Sequence, residues 1–251
     1  MRKNPMLAIF TTVFIDLLGF GILIPVFPLL ITEGPFRVTP DGWSFTQGMI
    51  MLGWLQAIYP FCMFIAAPIL GQLSDRHGRR PVLALSIFGT AIGYVLFAIG
   101  ISTGNLPLLF AARGLDGLTG GNLAVAQAAI GDISTHENRA KNFGYMGAAF
   151  GMGFIVGPYL GGKLSSPSVS FYGLFDTPHW FGATTPFWFA AILALLNCTA
   201  VLTTFPETIK EKFHGGKIRV GQSLNNVVNG FKSDRLRVIL LSSFLFSAGF
   251  T

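Results

Sequence analysis

Residues 71–82 read Gly71-Gln-Leu-Ser-Asp-Arg-His-Gly-Arg-Arg-Pro-Val82, a polar and basic cluster set between two long apolar runs, Met49 to Leu70 and Val82 to Ile101. At about 1.5 Å per helical residue, each run is long enough to cross about 30 Å of hydrocarbon. A connection this short must turn the chain back at one face of a bilayer. Its three arginines mark that face as cytoplasmic, because basic loops stay on the inner side.

Composition leads to the same class. Hydrophobic residues make up 51% of the chain and charged ones only 11%, the mean hydropathy is +0.60, and the 25 Phe exceed the needs of a soluble core of this size. The net charge of +6 and pI near 9.6 do not point to nucleic acid, since the basic residues are not interleaved with stacking aromatics. They sort by membrane side instead.

Five further runs complete the pattern. The expected spans are Met6 to Ile31, Thr46 to Leu70, Val82 to Ile101, Leu106 to Ile130, Asn142 to Gly162 and Pro186 to Phe205. A last run, Val238 to Thr251, covers only about 21 Å of helix, so the chain is expected to end inside a seventh span. With the N-terminus inside, fourteen of the seventeen Lys and Arg are cytoplasmic: Arg2, Lys3, Arg76, Arg79, Arg80, Arg139, Lys141, Lys210, Lys212, Lys217, Arg219, Lys232, Arg235 and Arg237. Arg37 and Lys163 fall outside and Arg113 within the membrane, so the positive-inside rule fixes the orientation. The first apolar run is too long for a signal-peptide core and lacks a small-residue cleavage site.

Catalytic and metal chemistry find no footing. Cys62 and Cys198 each sit mid-run and read as small buried side chains, while His77, His136, His179 and His214 all fall in loops. There is no HExxH, GxSxG or Walker loop, which excludes an intramembrane hydrolase and an ATP-driven pump. No catalytic residue, metal ligand or bound cofactor is expected.

Polar side chains inside the bilayer cost about 2.5–3.5 kcal/mol on the insertion scale, so each is a functional candidate. Asp16 lies about 15 Å into the first span from its cytoplasmic end, followed by Pro25 and Pro28, which are expected to bend the outer half of that helix. The alternative for Asp16 is a packing residue hydrogen-bonded across a helix interface. Arg113 and Asp116, three residues apart on one helix face, either neutralise each other or line a cavity. Asn122 and Gln127 continue the polar character of that fourth span. In the fifth, Gly147 with Gly151, and Gly153 with Gly157 and Gly161, are small-xxx-small pairs that permit close helix contact, and Pro158 predicts a hinge or kink.

These stretches together resemble the major facilitator superfamily. The pattern G-x-L-S-D-R-x-G-R-R-P-V is similar to its signature loop between the second and third helices. Asp16, then glycines and two prolines, resembles the first-helix motif of the drug:proton antiporter branch. Arg113 with Gly117 and Gly120 resembles the fourth-helix motif, and Gly153-x-x-x-Gly157-Pro158-x-x-Gly161-Gly162 the fifth-helix antiporter motif. Phe205-Pro-Glu-Thr208 resembles the ending of the sixth helix in the same branch. The likeness covers Leu7 to Thr208 and is nearest to tetracycline-type exporters, from which Asp116 departs, since a small residue is expected there.

The resemblance implies an all-α membrane protein: the six-helix N-terminal half of such a transporter, built as two three-helix inverted repeats. Residues 1–206 would form the bundle, 207–237 a basic cytoplasmic segment that is partly an amphipathic helix on the inner leaflet, and 238–251 the start of helix seven. It also implies alternating access, with Asp16, Arg113, Asp116, Asn122 and Gln127 around the proton and substrate cavity and the proton as coupling ion. At 100 mV one inward proton supplies about 2.3 kcal/mol, enough for roughly a fifty-fold gradient of a neutral substrate. Gly71, Asp75, Arg76, Gly78, Arg79, Arg80 and Asp132 would form a cytoplasmic gate. In it Asp132 pairs with Arg79 or Arg80 as a latch, and Asp75, placed at the start of helix three, faces the other half of the transporter. A solvated loop charge is the alternative for Asp132.

The implied partners are a drug-like small molecule, protons, the lipid bilayer of a bacterial inner membrane and a C-terminal half, with no nucleic acid. A metabolite facilitator or symporter, and a membrane receptor or scaffold that does not transport, remain as other classes. The long outer segment Lys163 to Thr185, rich in aromatics, is expected to rest at the membrane interface.

Overall fold

Among the described residues the chain forms seven α-helices, two of which follow one another as the two parts of one pass. The computed structural model describes residues 5–32, 34–167, 170–171, 175–209, 229, 232–233, 237–238 and 241–242. The helices are α1 Pro5–Val26, α2 Phe45–His77, α3 Arg79–Ser102, α4 Leu106–Gly120, α5 Asn122–Ile133, α6 Arg139–Leu164 and α7 Thr185–Thr204. Among the described residues, five helices are individually long and apolar enough to cross a membrane. The sixth pass is α4 followed by α5. The chain divides into two units, Met1–Phe213 and His214–Thr251. All seven helices belong to the first, whereas most of the expected amphipathic segment and of helix seven lies outside the described residues.

The order of helix contacts repeats itself. α1 lies against α6 and α2 against α4, α3 meets α7, and α3 touches α4 as α7 touches α1. Exchanging the first, second and third passes with the fourth, fifth and sixth leaves this contact pattern unchanged, as two three-helix repeats require. The two closest interfaces correspond under that exchange. At α1–α6, a Cβ on Gly157 would stand 2.7 Å from the Leu18 carbonyl oxygen and 2.9 Å from Gly21 Cα, and one on Gly161 2.6 Å from the Ile22 carbonyl oxygen. At α2–α4, a Cβ on Gly117 would stand 2.5 Å from the Tyr59 carbonyl oxygen. Backbone packs on backbone at both places, the means by which helices associate where no water drives them together.

Several expectations change. The anticipated loop 71–82 shrinks to one non-helical residue, Gly78, at φ 108°. Residues 71–77 contain no proline, and Ser74 Oγ donates to the Gly71 carbonyl at 2.8 Å while His77 Nδ1 lies 3.1 Å from that of Leu73. α2 therefore runs on through the polar cluster until a glycine supplies the positive φ that ends it. Asp75 consequently sits in the last turns of α2, not at the start of helix three. The expected fourth span breaks at Gly121, where a Cβ would lie 3.0 Å from Ala67 backbone atoms. Two successive glycines there loosen the helix as it passes α2. Pro25 stays within α1, and the chain tightens at Phe27–Leu30 into a 3-10 turn that holds Pro28. α6 continues unbroken through Pro158.

The outer segment adds two-residue strands, β1 Ser170–Phe171 and β2 Phe175–Asp176, paired antiparallel. After them Trp180, 67% exposed, lies edge-on to Phe181 with ring centroids 4.6 Å apart. Among the described residues, α2 and α4 are capped by the side chains of their own N-cap residues. Ser44 and Gln47 form a reciprocal capping box for α2, and Asn105 accepts from the Leu108 N–H at 3.0 Å for α4. Large apolar side chains point outward along the middle of the bundle, among them Trp54, Phe61, Phe64 and Ile155. Such a surface suits lipid or another protein and not water.

Candidate functional site

Mid-membrane, the structure sorts the five expected cavity residues into three places. Asp16 on α1 accepts a hydrogen bond from Asn122 Nδ2 at 2.7 Å. Asn122 is the first residue of α5, so the break at Gly121 delivers a side-chain amide from the fourth pass to the acid of the first. Both residues line a cleft of about 170 Å³ whose remaining wall includes Phe20, Tyr59, Phe150 and Phe154. The aromatics interlock: Phe20 is tilted against Tyr59 at 5.7 Å between centroids and edge-on to Phe154 at 5.9 Å.

Arg113 and Asp116 do not line this cleft. Arg113 Nη1 lies 2.9 Å from Asp116 Oδ2, with side-chain exposures of 2% and 6%. Its Nη2 approaches Gln56 Oε1 at 3.5 Å, and the guanidinium carbon stands 4.7 Å from the centre of the Tyr59 ring. The i, i+3 spacing has closed a buried ion pair behind the aromatic wall. Gln127 is exposed on α5 and meets none of the other four.

At the basic end of the bundle a second cluster forms around Arg79, which is 6% exposed. Its Nη1 lies 2.6 Å from Asp75 Oδ1 and donates to Ser74 Oγ at 2.6 Å, while its Nε reaches Asp132 Oδ2 at 3.0 Å. Of the two arginines weighed for Asp132, Arg79 makes the pair. Arg80 turns instead to the Leu202 carbonyl at the end of α7. Arg76 is exposed in the last turn of α2, and a Cβ on Gly71 would meet open space.

The fifth-pass glycines also divide. Gly153, Gly157 and Gly161 pack on α1, and Pro158 Cδ would lie 2.8 Å from a Cβ at Gly21. Gly162 only approaches Pro25, at 3.9 Å, and Gly147 and Gly151 have nothing within 4 Å. Of the small-xxx-small pairs read in the sequence, Gly147 with Gly151 is therefore no contact within this bundle.

Sequence reading passed over several participants. Gln56 and Asn197 are polar residues in apolar runs, the same signal that marked Asp16. Asn197 is buried at α7 and its Oδ1 accepts from Thr12 Oγ1 at 3.4 Å. Glu207 does more than complete the Phe205-Pro-Glu-Thr208 ending. Its Oε1 accepts from the Arg79 N–H at 2.9 Å and its Oε2 from the Arg80 N–H at 3.4 Å. It thereby serves the start of α3, whose own N-cap, Gly78, has no side chain. Thr208 Oγ1 donates to Asp132 Oδ2 at 3.1 Å, the oxygen that also receives Arg79 Nε.

The sequence profile of the Major Facilitator Superfamily matches residues 9–251. Tetracycline resistance protein, class H, of Pasteurella multocida is 33% identical over 246 residues, covering 98% of this chain and 55% of that protein. The class C protein of Escherichia coli is 40% identical over 167 residues, 66% of this chain and 39% of its own length. The chain spans about half the length of the curated relatives it matches. The human organic anion transporter MFSD10 (TETRAN) superposes with a TM-score of 0.64 at 23% identity, covering 85% of this chain and 50% of its own. At that identity the likeness speaks for the fold alone, as does that of the proton:xylose symporter XylE, at a TM-score of 0.62 and 19% identity.

Proposed function

The chain belongs to the major facilitator superfamily, and from that premise we propose that it forms the N-terminal bundle of a proton-coupled exporter of drug-like molecules. The observation that carries this reading is the contact between Asp16 and Asn122. It puts a carboxyl group at mid-membrane on a cleft wall and ties it to the repeat-related pass. A packing residue would make the same hydrogen bond across the interface, so the weight of the reading falls on the cleft that both residues line, since a proton carrier needs a titratable group that substrate can also approach. Relatives of the chain are tetracycline resistance proteins of several classes, which makes tetracycline the first substrate to try. The proton is the coupling ion, and no other cofactor enters.

Arg79, Asp75 and Asp132 would act as the cytoplasmic gate, with the N-terminus inside a bacterial inner membrane. With that cluster engaged, a larger apolar cleft of about 640 Å³ lies toward the opposite end between α1 and α2, lined by Phe27, Phe45, Met49 and Gln56 among others.

The test uses inverted membrane vesicles containing the full-length protein. An imposed pH gradient, acid inside, should drive tetracycline uptake in the wild type, and Asp16→Asn should abolish that uptake with the protein present at normal abundance. Uptake by Asp16→Asn at the wild-type rate would remove Asp16 from proton coupling.

A further inference from the structure

The larger cleft between α1 and α2 is apolar nearly throughout. Among the residues that line it, only Thr32 and Gln56 carry polar side chains, and Thr32 Oγ1 donates its proton to the Pro28 carbonyl of its own turn at 3.0 Å. Gln56 is half-buried and lies one turn of α2 from Gly53, which also lines the cleft. A Cβ on Gly53 would meet nothing within 4 Å, so the space beside Gln56 is open.

Arg113 decides which way the Gln56 amide points. A guanidinium has donors only, so the amide oxygen is the end that faces it, and Oε1 lies 3.5 Å from Arg113 Nη2. Arg113 is itself held by Asp116 at 2.9 Å and covered by the Tyr59 ring. This contact is the one hydrogen bond of Gln56 among the described residues. The Nε2 end, with its two N–H groups, therefore turns away from the ion pair and toward the cleft. The guanidinium also draws charge toward the amide oxygen, which strengthens the donors at the other end.

That donor end defines a ligand. A cleft of this volume with apolar walls and one placed polar group has the build of a small-molecule site. A carbon skeleton would replace water on Phe27, Phe45, Met49 and Leu52, and would strip water from the Gln56 N–H groups unless it brought them an acceptor. A cation would meet the positive end of the amide dipole. An alcohol would add a proton for which the cleft's side chains offer one acceptor, Thr32 Oγ1.

We propose that Gln56 is the specificity-determining residue of this cleft, donating from Nε2 to the carbonyl oxygen of an otherwise apolar molecule, with Arg113 as the positioning residue that fixes the amide. The assignment rests on the exporter reading and narrows its substrate class.

Fluorenone and fluorene share one ring frame and differ by a carbonyl in place of a methylene. Equilibrium dialysis of each, labelled, against the full-length protein in detergent should give saturable binding of the ketone, about tenfold tighter than that of the hydrocarbon. In Gln56→Leu the two affinities should become equal. Gln56→Glu should lose the preference as well, because its carboxylate keeps the contact with Arg113 and has no N–H to offer. A variant that merely loosened the fold would weaken both ligands and leave their ratio unchanged. Absence of saturable fluorenone binding, equal affinities in the wild type, or a preference that survives in either variant would each overturn the proposal, and the wild-type comparison stands even where a variant fails to fold. Tetracycline uptake driven by a pH gradient, measured in parallel, separates the two levels. Uptake without a ketone preference overturns the role of Gln56 and leaves the exporter reading intact, and a ketone preference without uptake does the reverse.

Discussion

Arg79 Nε and Asp132 Oδ2 stand 3.0 Å apart, joining the start of α3 to the end of α5. The arginine is divided between partners, since its Nη1 is committed to Asp75 and Ser74. Asp132 is shared as well, because the same oxygen accepts from Thr208. A charge swap tests whether this is a simple pair. Asp132→Asn should slow pH-driven uptake by about tenfold, and the exchange Arg79→Asp with Asp132→Arg should restore nothing, because an aspartate at 79 would face the Asp75 carboxylate that now pairs with Arg79. Recovery of uptake in the swapped protein would show that Arg79 and Asp132 act alone.

How much of this cluster the sequence disclosed depends on the range of each interaction. The spans and the acid at Asp16 follow from local hydropathy and one polar residue, so they were legible, whereas the repeat is implied only by the family resemblance. The extent of α2 through His77 was not legible, because a polar cluster between apolar runs reads as a loop, although nothing in 71–77 breaks a helix until Gly78. The burial of Arg113 was left open for a different reason. Its i, i+3 spacing permits either a closed pair or a cavity wall, and the choice rests on Tyr59 and Gln56, 54 and 57 residues away in the chain. Glu207 is further still from the two N–H groups it caps.

Removing that cap should be measurable. Glu207→Ala strips the Arg79 and Arg80 N–H groups of their acceptor and should lower stability by about 0.5–2 kcal/mol, the usual worth of a capping side chain. Glu207→Gln keeps one oxygen and should lose less. Gly78→Ala should do worse than either, because it forces φ 108° on an alanine and drives its Cβ into the Glu207 carboxylate. Thermal unfolding of the purified protein in detergent ranks the three, and equal midpoints for Ala and Gln at 207 would deny Glu207 its capping role.

The α1–α6 contact gives a paired comparison on a single helix. Gly157→Ala places a methyl 2.7 Å from the Leu18 carbonyl oxygen and should cost about 1–3 kcal/mol by overpacking. Gly151→Ala meets nothing within 4 Å, and gains helix propensity of about 0.5–1 kcal/mol. The two variants should shift the unfolding midpoint in opposite directions. A matching loss at both positions would mean that α6 is sensitive to alanine in general and not at its packed face.

Asp116 has both a structural and an electrostatic consequence, and stability measurements isolate the first. Asp116→Asn leaves the Arg113 guanidinium buried with Gln56 and the Tyr59 ring as its remaining partners, one of them at 3.5 Å. Breaking a buried pair on one side costs about 3–5 kcal/mol, because the surviving charge keeps its burial and loses its counter-charge. Removing both charges, as in Arg113→Gln with Asp116→Asn, should recover most of that loss, since the neutral pair needs no counter-ion and can still hydrogen-bond. Folded yield and unfolding midpoint should therefore fall steeply in the single variant and only slightly in the double one. If the double variant is as unstable as the single, the damage comes from the shape of the site and not from an unpaired charge, and Asp116 would have no claim to be holding Arg113 in place.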